Sequence, residues 1–255
     1  MRPPTDFPRL AAEILQRLRA RRPRVHCITN AVAQNFTANV LLAAGALPSM
    51  TISPEEVASF AASADALLVN LGTFDAHRRD AADTAIEVAI EEQRPWVLDP
   101  VFIDRSEPRA HYARAVTERK PSAIRLNATE FRTLAGAEAE RETLMRYALE
   151  KLTVLGVTGE ADLITDGARV TTVENGHLLM TQVTAMGCAA SALTAACLAV
   201  EDDAQAATAA ALLAFGVAGE LAGESAKGPG SFALAFIDAL HGLSADRLLA
   251  RARVL

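Results

Sequence analysis

Residues 96–101 read Trp-Val-Leu-Asp-Pro-Val. The apolar run is too short for a helix, and its apolar residues fall on both faces of a strand. A strand buried on both sides belongs to a sheet covered by helices above and below. Pro100 disfavours helical backbone at the residue before it, so the run ends extended at Asp99. A carboxylate is thereby left at the strand's C-terminal edge.

The same alternation extends outward in both directions. Upstream lie a helical pattern over 76–93 and the apolar run 66–71. Downstream lie a helical pattern over 108–119 and the run 123–126. Across the chain, strands are predicted at 24–28, 46–51, 66–71, 96–99, 123–126, 152–158, 162–165 and 169–173. Helices are predicted at 7–21, 32–44, 54–63, 76–93, 108–119, 128–135, 140–151, 186–200, 204–223, 231–241 and 245–251. No repeat or linker interrupts this order. It predicts one α/β domain over residues 1–255, a three-layer α/β/α arrangement around a mostly parallel central sheet. Asp166-Gly167, between the last two strands, predicts a hairpin at the sheet edge. Ser53-Pro54-Glu55-Glu56 has the spacing of a capping box opening the helix at 54, and Gly45 suits a left-handed helix end.

The 255 residues carry 25 Lys plus Arg against 31 Asp plus Glu, a net charge of −6, and 51% are hydrophobic. That composition is globular, and the acidic balance argues against nucleic acid. The dense basic cluster Arg17, Arg19, Arg21, Arg22 and Arg24 lacks an aromatic platform. It reads as the solvated face of a helix with Leu10, Ile14 and Leu18 inward. Three cysteines form neither a disulfide framework nor a paired metal spacing, which predicts a reducing, cytoplasmic setting. The N-terminal stretch has no apolar signal core, so no secretory signal is expected. Residues 204–223 are Ala-rich and uncharged apart from Glu220. They read as a buried helix, with no membrane partner implied. His26, His77, His111, His177 and His241 show no zinc spacing and read as structural or solvated.

Ligands of parallel sheets bind at the carboxyl ends of the strands. Polar residues directly after strands stand there, Thr29-Asn30, Asn70, Asp99, Asn127, Thr158-Gly159-Glu160 and the loop before 188, and three of these places could carry chemistry. Val183-Thr184-Ala185-Met186-Gly187-Cys188 opens an apolar helix, whose free N–H groups and dipole favour an anion and would lower a first-turn thiol. The alternative is a buried Cys at a helix start capped by Thr184. Asn127 and Glu130, after the strand carrying Arg125, suit a magnesium site or simply a capping box. Asp99 is the third, with turn initiation as its alternative. Lys227-Gly228-Pro229-Gly230-Ser231-Phe232 reads as a turn with Ser231 capping the next helix. An anion-binding helix start, carboxylates and an arginine on one sheet edge suit phosphoryl transfer.

Eight segments resemble the hydroxyethylthiazole kinase family of the ribokinase-like superfamily. They are His26-Cys27-Ile28-Thr29-Asn30, Asn35-Phe36-Thr37-Ala38-Asn39, Pro54-Glu55-Glu56-Val57, Asn70-Leu71-Gly72-Thr73, Leu98-Asp99-Pro100-Val101, Thr158-Gly159-Glu160, Asn175-Gly176-His177 and Lys227 to Phe232. They occur in family order from about residue 24 to residue 240. The resemblance implies transfer of the γ-phosphate of ATP to the primary alcohol of 4-methyl-5-(2-hydroxyethyl)thiazole, a salvage step in thiamine biosynthesis, with magnesium. It also implies a homotrimer with active sites at the subunit interfaces. Carried residue by residue, it implies Cys188 as the catalytic residue and Met50, Ala185 and Asn30 as substrate contacts. Arg125, Thr158 and Gly187 would bind ATP, and Glu130, Asp99 and Asn127 the metal.

Two stretches depart from the family pattern. Ala185 stands where the family has glycine, and would be strained at positive φ. Phe102 to Arg109 replaces a Gly-rich loop. Alternatives are a kinase of another heterocyclic alcohol such as a hydroxymethylpyrimidine, an ADP-dependent repair lyase of hydrated nicotinamide nucleotides, or a degenerate nucleotide- or thiazole-binding protein. The first two would carry an acidic residue at position 188.

Overall fold

The computed structural model describes residues 7–255. Its strands are β1 (Arg24–Ile28), β2 (Leu47–Ser49), β3 (Ala66–Asn70), β4 (Trp96–Asp99), β5 (Ala123–Asn127), β6 (Val154–Thr158), β7 (Asp162–Thr165) and β8 (Val170–Val173). The helices are α1 (Phe7–Arg21), α2 (Gln34–Ala44), α3 (Val57–Ser63), α4 (Ala76–Glu91), α5 (Glu107–Thr117), α6 (Ala128–Ala135), α7 (Arg141–Lys151), α8 (Met186–Leu198), α9 (Ala204–Ser225), α10 (Pro229–His241) and α11 (Ala245–Arg251). One eight-stranded sheet runs β2-β1-β3-β4-β5-β6-β7-β8. β2 through β6 are parallel, and β7 and β8 are antiparallel.

The two-residue period of the strands decides what each face meets. Val25, Cys27, Leu68, Val97, Ala123 and Val154 face a core built with α1, α2, α8, α9, α10 and α11. Ile28, Leu67, Val69, Leu98, Ile124 and Leu155 face the other core, against α3 to α7. The predicted three-layer α/β/α fold, with its mostly parallel sheet and edge hairpin, is the one observed. α9 is the one described helix long and apolar enough to cross a membrane, and most of it is buried inside the protein. Gly156 lets it approach the sheet, since a Cβ there would stand 3.2 Å from Thr208.

Several local expectations need correction. The helix predicted from residue 54 begins at Val57, and Ser53 caps nothing with its side chain. Ser53 accepts from the Glu56 and Val57 amides through its carbonyl. The Glu56 carboxylate accepts instead from the Thr51 hydroxyl. Ser231 lies inside α10, whose N-cap is Gly228, and accepts from the Lys227 amide at 2.9 Å. The basic cluster is only partly solvated. Arg17 pairs with Glu201, and Arg19 donates to the carbonyls of Leu240, His241 and Leu243, so it closes the end of α10. Short 3-10 turns at Ile103–Arg105 and Leu178–Gln182 had no periodic signal to announce them.

Other expectations hold. Gly45 ends α2 at φ +105°, and Gly167 turns the β7–β8 hairpin at φ +92°. His77 and His111 are exposed on α4 and α5. Beyond β8, residues 253–255 run antiparallel to it, with Thr172 and Leu255 exchanging backbone bonds of 2.9 and 3.0 Å. One sheet edge is therefore covered by the chain's own end. At the other edge lies β2, only three residues long.

Candidate active site at the carboxyl ends of β3 to β6

Asn70, Asp99, Arg125 and Thr158 lie two residues beyond Leu68, Val97, Ala123 and Gly156, so all four share the α8 side of the sheet. The register sets Asn70 beside Asp99 and Asn127 beside Thr158. Between these pairs the β4–β5 ladder stops at Leu98–Ile124. Asp99 and Arg125, the next residues, stand on the two sides of that fork, and the start of α8 lies above it.

Asp99 is 1% exposed. Its Oδ2 accepts from Asn70 Nδ2 at 2.6 Å and from Ser191 Oγ at 2.9 Å, while its Oδ1 is buried without a partner. Burial pushes this carboxyl above the usual range, against the attraction of Arg125 and both donors. Asn70 Oδ1 accepts from Asn30 Nδ2 at 3.0 Å, and Asn30 Nδ2 also reaches Cys188 Sγ at 3.3 Å. A chain of hydrogen bonds thus runs from Asp99 through two amides to the thiol. Burial and the Asp99 charge push Cys188 up to about 11. The expected lowering by the helix start is overturned, because removal from water outweighs the dipole here.

Glu130 Oε1 accepts from the Phe102 amide at 3.0 Å and Oε2 from the Asn127 amide at 2.9 Å. Asn127 Oδ1 accepts from the Glu130 amide at 2.9 Å, completing a capping box on α6. Burial first, then the Asp99 charge, raises the Glu130 carboxyl. Arg125 Nη2 donates to Thr158 Oγ1 at 2.6 Å, and its buried Nε has no partner. Gly187 packs on this guanidinium, since a Cβ there would lie 2.5 Å from Nη1.

Ala185, not Thr184, is the N-cap of α8. It has φ +70° and makes no side-chain capping bond, so the strain expected of a non-glycine residue at this place is present. Among the described residues, no hydrogen bond takes up the amides of residues 185–188. They are the orphan donors of a helix start. A cavity of about 760 Å³ opens beside them, with Arg125, Thr158 and Gly187 at one end and His177, Met180 and Phe215 on its walls. Asp162 also lines it, and burial pushes its carboxyl up to about 6.

The structure therefore gathers Asn30, Asp99, Cys188, Arg125, Thr158, Gly187, Asn127 and Glu130 around one fork, with Ala185 at the start of α8. Met50 follows β2, the strand beside β1, whose end carries Asn30, and stands three strands from β4. Ser191, Asp162 and the Phe102 amide were not among the residues to which the sequence pointed, whereas Asn70 was, with no role assigned to it. Asn70 had a legible signal, a polar residue ending a strand. Ser191 had only its three-residue spacing from Cys188 along one helix face.

The hydroxyethylthiazole kinase family profile matches residues 15–246. A hydroxyethylthiazole kinase of Cronobacter sakazakii is 45% identical over 244 residues, covering 91% of this chain and 92% of its own. One of Rhizobium etli is 43% identical, with 94% and 99% covered. The solved hydroxyethylthiazole kinase protein of Pyrococcus horikoshii superposes with a TM-score of 0.93 at 39% identity, covering 97% of this chain and 98% of that one. A pyridoxal kinase of Bacillus subtilis, solved as an ADP complex, shares the fold at a TM-score of 0.59 and 16% identity, with 77% and 91% covered.

Proposed function

The chain belongs to the hydroxyethylthiazole kinase family, and from that premise we propose that it moves the γ-phosphoryl group of ATP onto the primary alcohol of 4-methyl-5-(2-hydroxyethyl)thiazole, as a single cytoplasmic domain serving thiamine biosynthesis. The observation that carries the reading is the junction of two features. The cavity that ends at Arg125 and Thr158 meets the unpaired amides of residues 185–188, and Cys188 stands at that meeting point.

Phosphoryl transfer asks for alignment and for neutralisation of charge more than for covalent chemistry. The guanidinium of Arg125 and the α8 amides supply fixed positive partners to phosphate oxygens. Cys188, with its proton held to about pH 11, is a neutral thiol at pH 7. It orients the attacking hydroxyl as a hydrogen-bond partner, and Asn30 fixes its sulfur. Ala185 and Met50 complete our reading of the alcohol site.

The oxygen set suits magnesium. Asp99 Oδ1 is buried and unpartnered, and two raised carboxyls face each other electrostatically. Magnesium favours one or two carboxylates together with phosphate oxygens. Asp99 and Glu130 would hold it, with Asn127 orienting Glu130. The ion, when bound, offsets negative charge on the transferring phosphates.

We further read the working form as a homotrimer with sites completed at subunit interfaces. In support, β2 is an uncovered edge strand, and Leu47 on it, Leu42 on α2 and Phe60 on α3 are exposed apolar residues around it. The test is ATP consumption with the thiazole alcohol and magnesium, against a panel of heterocyclic alcohols. Turnover highest with the thiazole alcohol is expected, and turnover confined to another alcohol overturns the substrate.

A further inference from the structure

Residues 174–180 form one wall of the nucleotide cavity, with Asn175, Gly176, His177 and Met180 lining it. This wall lies flat on α9. Gly216, Gly219 and Gly223 face it, and a Cβ at each would collide with the Asn175 carbonyl, the Met180 sulfur and the His177 ring respectively. The depth of the wall is therefore set by three absent methyl groups on one helix face.

Its lateral position is set from the chain's C-terminal end. Asn175 is 7% exposed, and every polar atom of its side chain is engaged there. Its Nδ2 donates to the Arg251 carbonyl at 2.8 Å and to Glu220 Oε1 at 3.0 Å, and its Oδ1 accepts from the Arg253 amide at 2.8 Å. The Gly176 amide donates to the same Glu220 oxygen at 3.2 Å. Arg253 Nη2 donates to that oxygen and to the Glu174 carbonyl, both at 2.6 Å. Neither Glu220 nor Arg253 lines the cavity.

The Arg125 end of the cavity is its anion end. The wall of residues 174–180, with Phe215 and Leu212 beside it, carries no Lys or Arg for a phosphate. That end suits a nucleoside. We propose that the C-terminal residues 251–255 are a positioning element for the nucleoside side of the nucleotide site, acting through Glu220 and Arg253 on Asn175. This inference rests on the kinase reading. A wall held by charge-assisted bonds keeps one geometry before nucleotide arrives, and loosening it weakens nucleotide without touching the alcohol site.

The experiment compares wild type with Arg253→Ala, Arg253→Lys and Glu220→Gln. ADP affinity is measured by titration calorimetry and kcat and both KM values by steady-state kinetics, with circular dichroism to confirm folding. Loss of one charged hydrogen bond predicts about fivefold weaker ADP and higher KM for ATP in Arg253→Ala. kcat and the alcohol KM stay within about twofold, and Arg253→Lys recovers most of the loss. Should Arg253→Ala fail to fold, Glu220→Gln keeps an oxygen for Asn175 and Gly176 and decides the matter with a milder shift. ADP affinity unchanged in the folded variants overturns the proposal, as does a joint fall in kcat and both substrates' affinities. Wild type that binds ADP without turning over the thiazole alcohol overturns the substrate assignment alone, and the ADP comparison still decides the role of the tail. Wild type that fails to bind ADP overturns both.

Discussion

At the scale of single residues, the thiol is the sharpest case. Burial first, then the Asp99 charge, pushes the Cys188 thiol up to about 11, which supports the proposed role of alignment rather than proton abstraction. Cys188→Ala is expected to lower kcat by about a hundredfold with little change in the KM for ATP, the low end of the range for general acid–base groups. Cys188→Ser, which keeps a hydrogen-bonding group, loses less. Steady-state kinetics checks both, and a collapse of ATP affinity would move Cys188 into the nucleotide pocket. His26 offers a stability test. Burial depresses its pKa from 6.5 to about 4, and its Nε2 is buried without a partner. The folded state thus binds fewer protons than the unfolded chain between those values. Stability is present above pH 6.5 and is lost as pH falls towards 4, by about 3 kcal/mol in total. Urea midpoints measured across that interval should fall less steeply in His26→Gln than in wild type, and equal slopes refute the assignment.

At the scale of elements, the start of α8 carries two opposed demands. Glycine inside a helix costs about 1 kcal/mol relative to alanine. Gly187 is nevertheless required, because its missing Cβ is where Arg125 lies. Gly187→Ala is expected to displace the guanidinium and raise the KM for ATP about tenfold while leaving thermal stability within a few degrees, read from kinetics and a melting curve. Elements built from apolar runs and periodic patterns were legible in the sequence. β1, β4 and β7, with α1, α6 and α11, have their expected bounds. The Asn127–Glu130 cap was equally plain, because a capping box is a local matter. The failures were contests between a local rule and a distant partner. Glu56 satisfies the box pattern, yet its carboxylate finds Thr51. The helix dipole favours a thiolate, yet burial, and after it the charge of Asp99, remote in sequence, opposes it. Positions such as Ser191 and Asp162 become site residues only through packing that no short motif records.

At the scale of the whole molecule, the two edges of the sheet are treated differently. The chain's own end covers β8, while β2 carries exposed Leu47 and has apolar neighbours. Leu47→Asp should leave the fold intact and dissociate the proposed homotrimer, which analytical ultracentrifugation of both proteins reads directly. If sites are completed between subunits, kcat falls with it. An unchanged sedimentation coefficient would place the interface elsewhere.

The fork between β4 and β5 has a cause in the main chain. The Asp99 carbonyl accepts from the Leu71 amide at 3.0 Å, so the backbone groups of Asp99 point towards β3. Neighbouring residues of a strand point their backbone groups in opposite directions, and the next residue towards β5 is Pro100. Proline has no N–H to offer. The two strands are denied the next rung that would zip them together, much as a wedge keeps a door ajar. The crevice is therefore written into the backbone rather than the surrounding side chains, which leaves residues 102–109 and 185 room to vary without closing it.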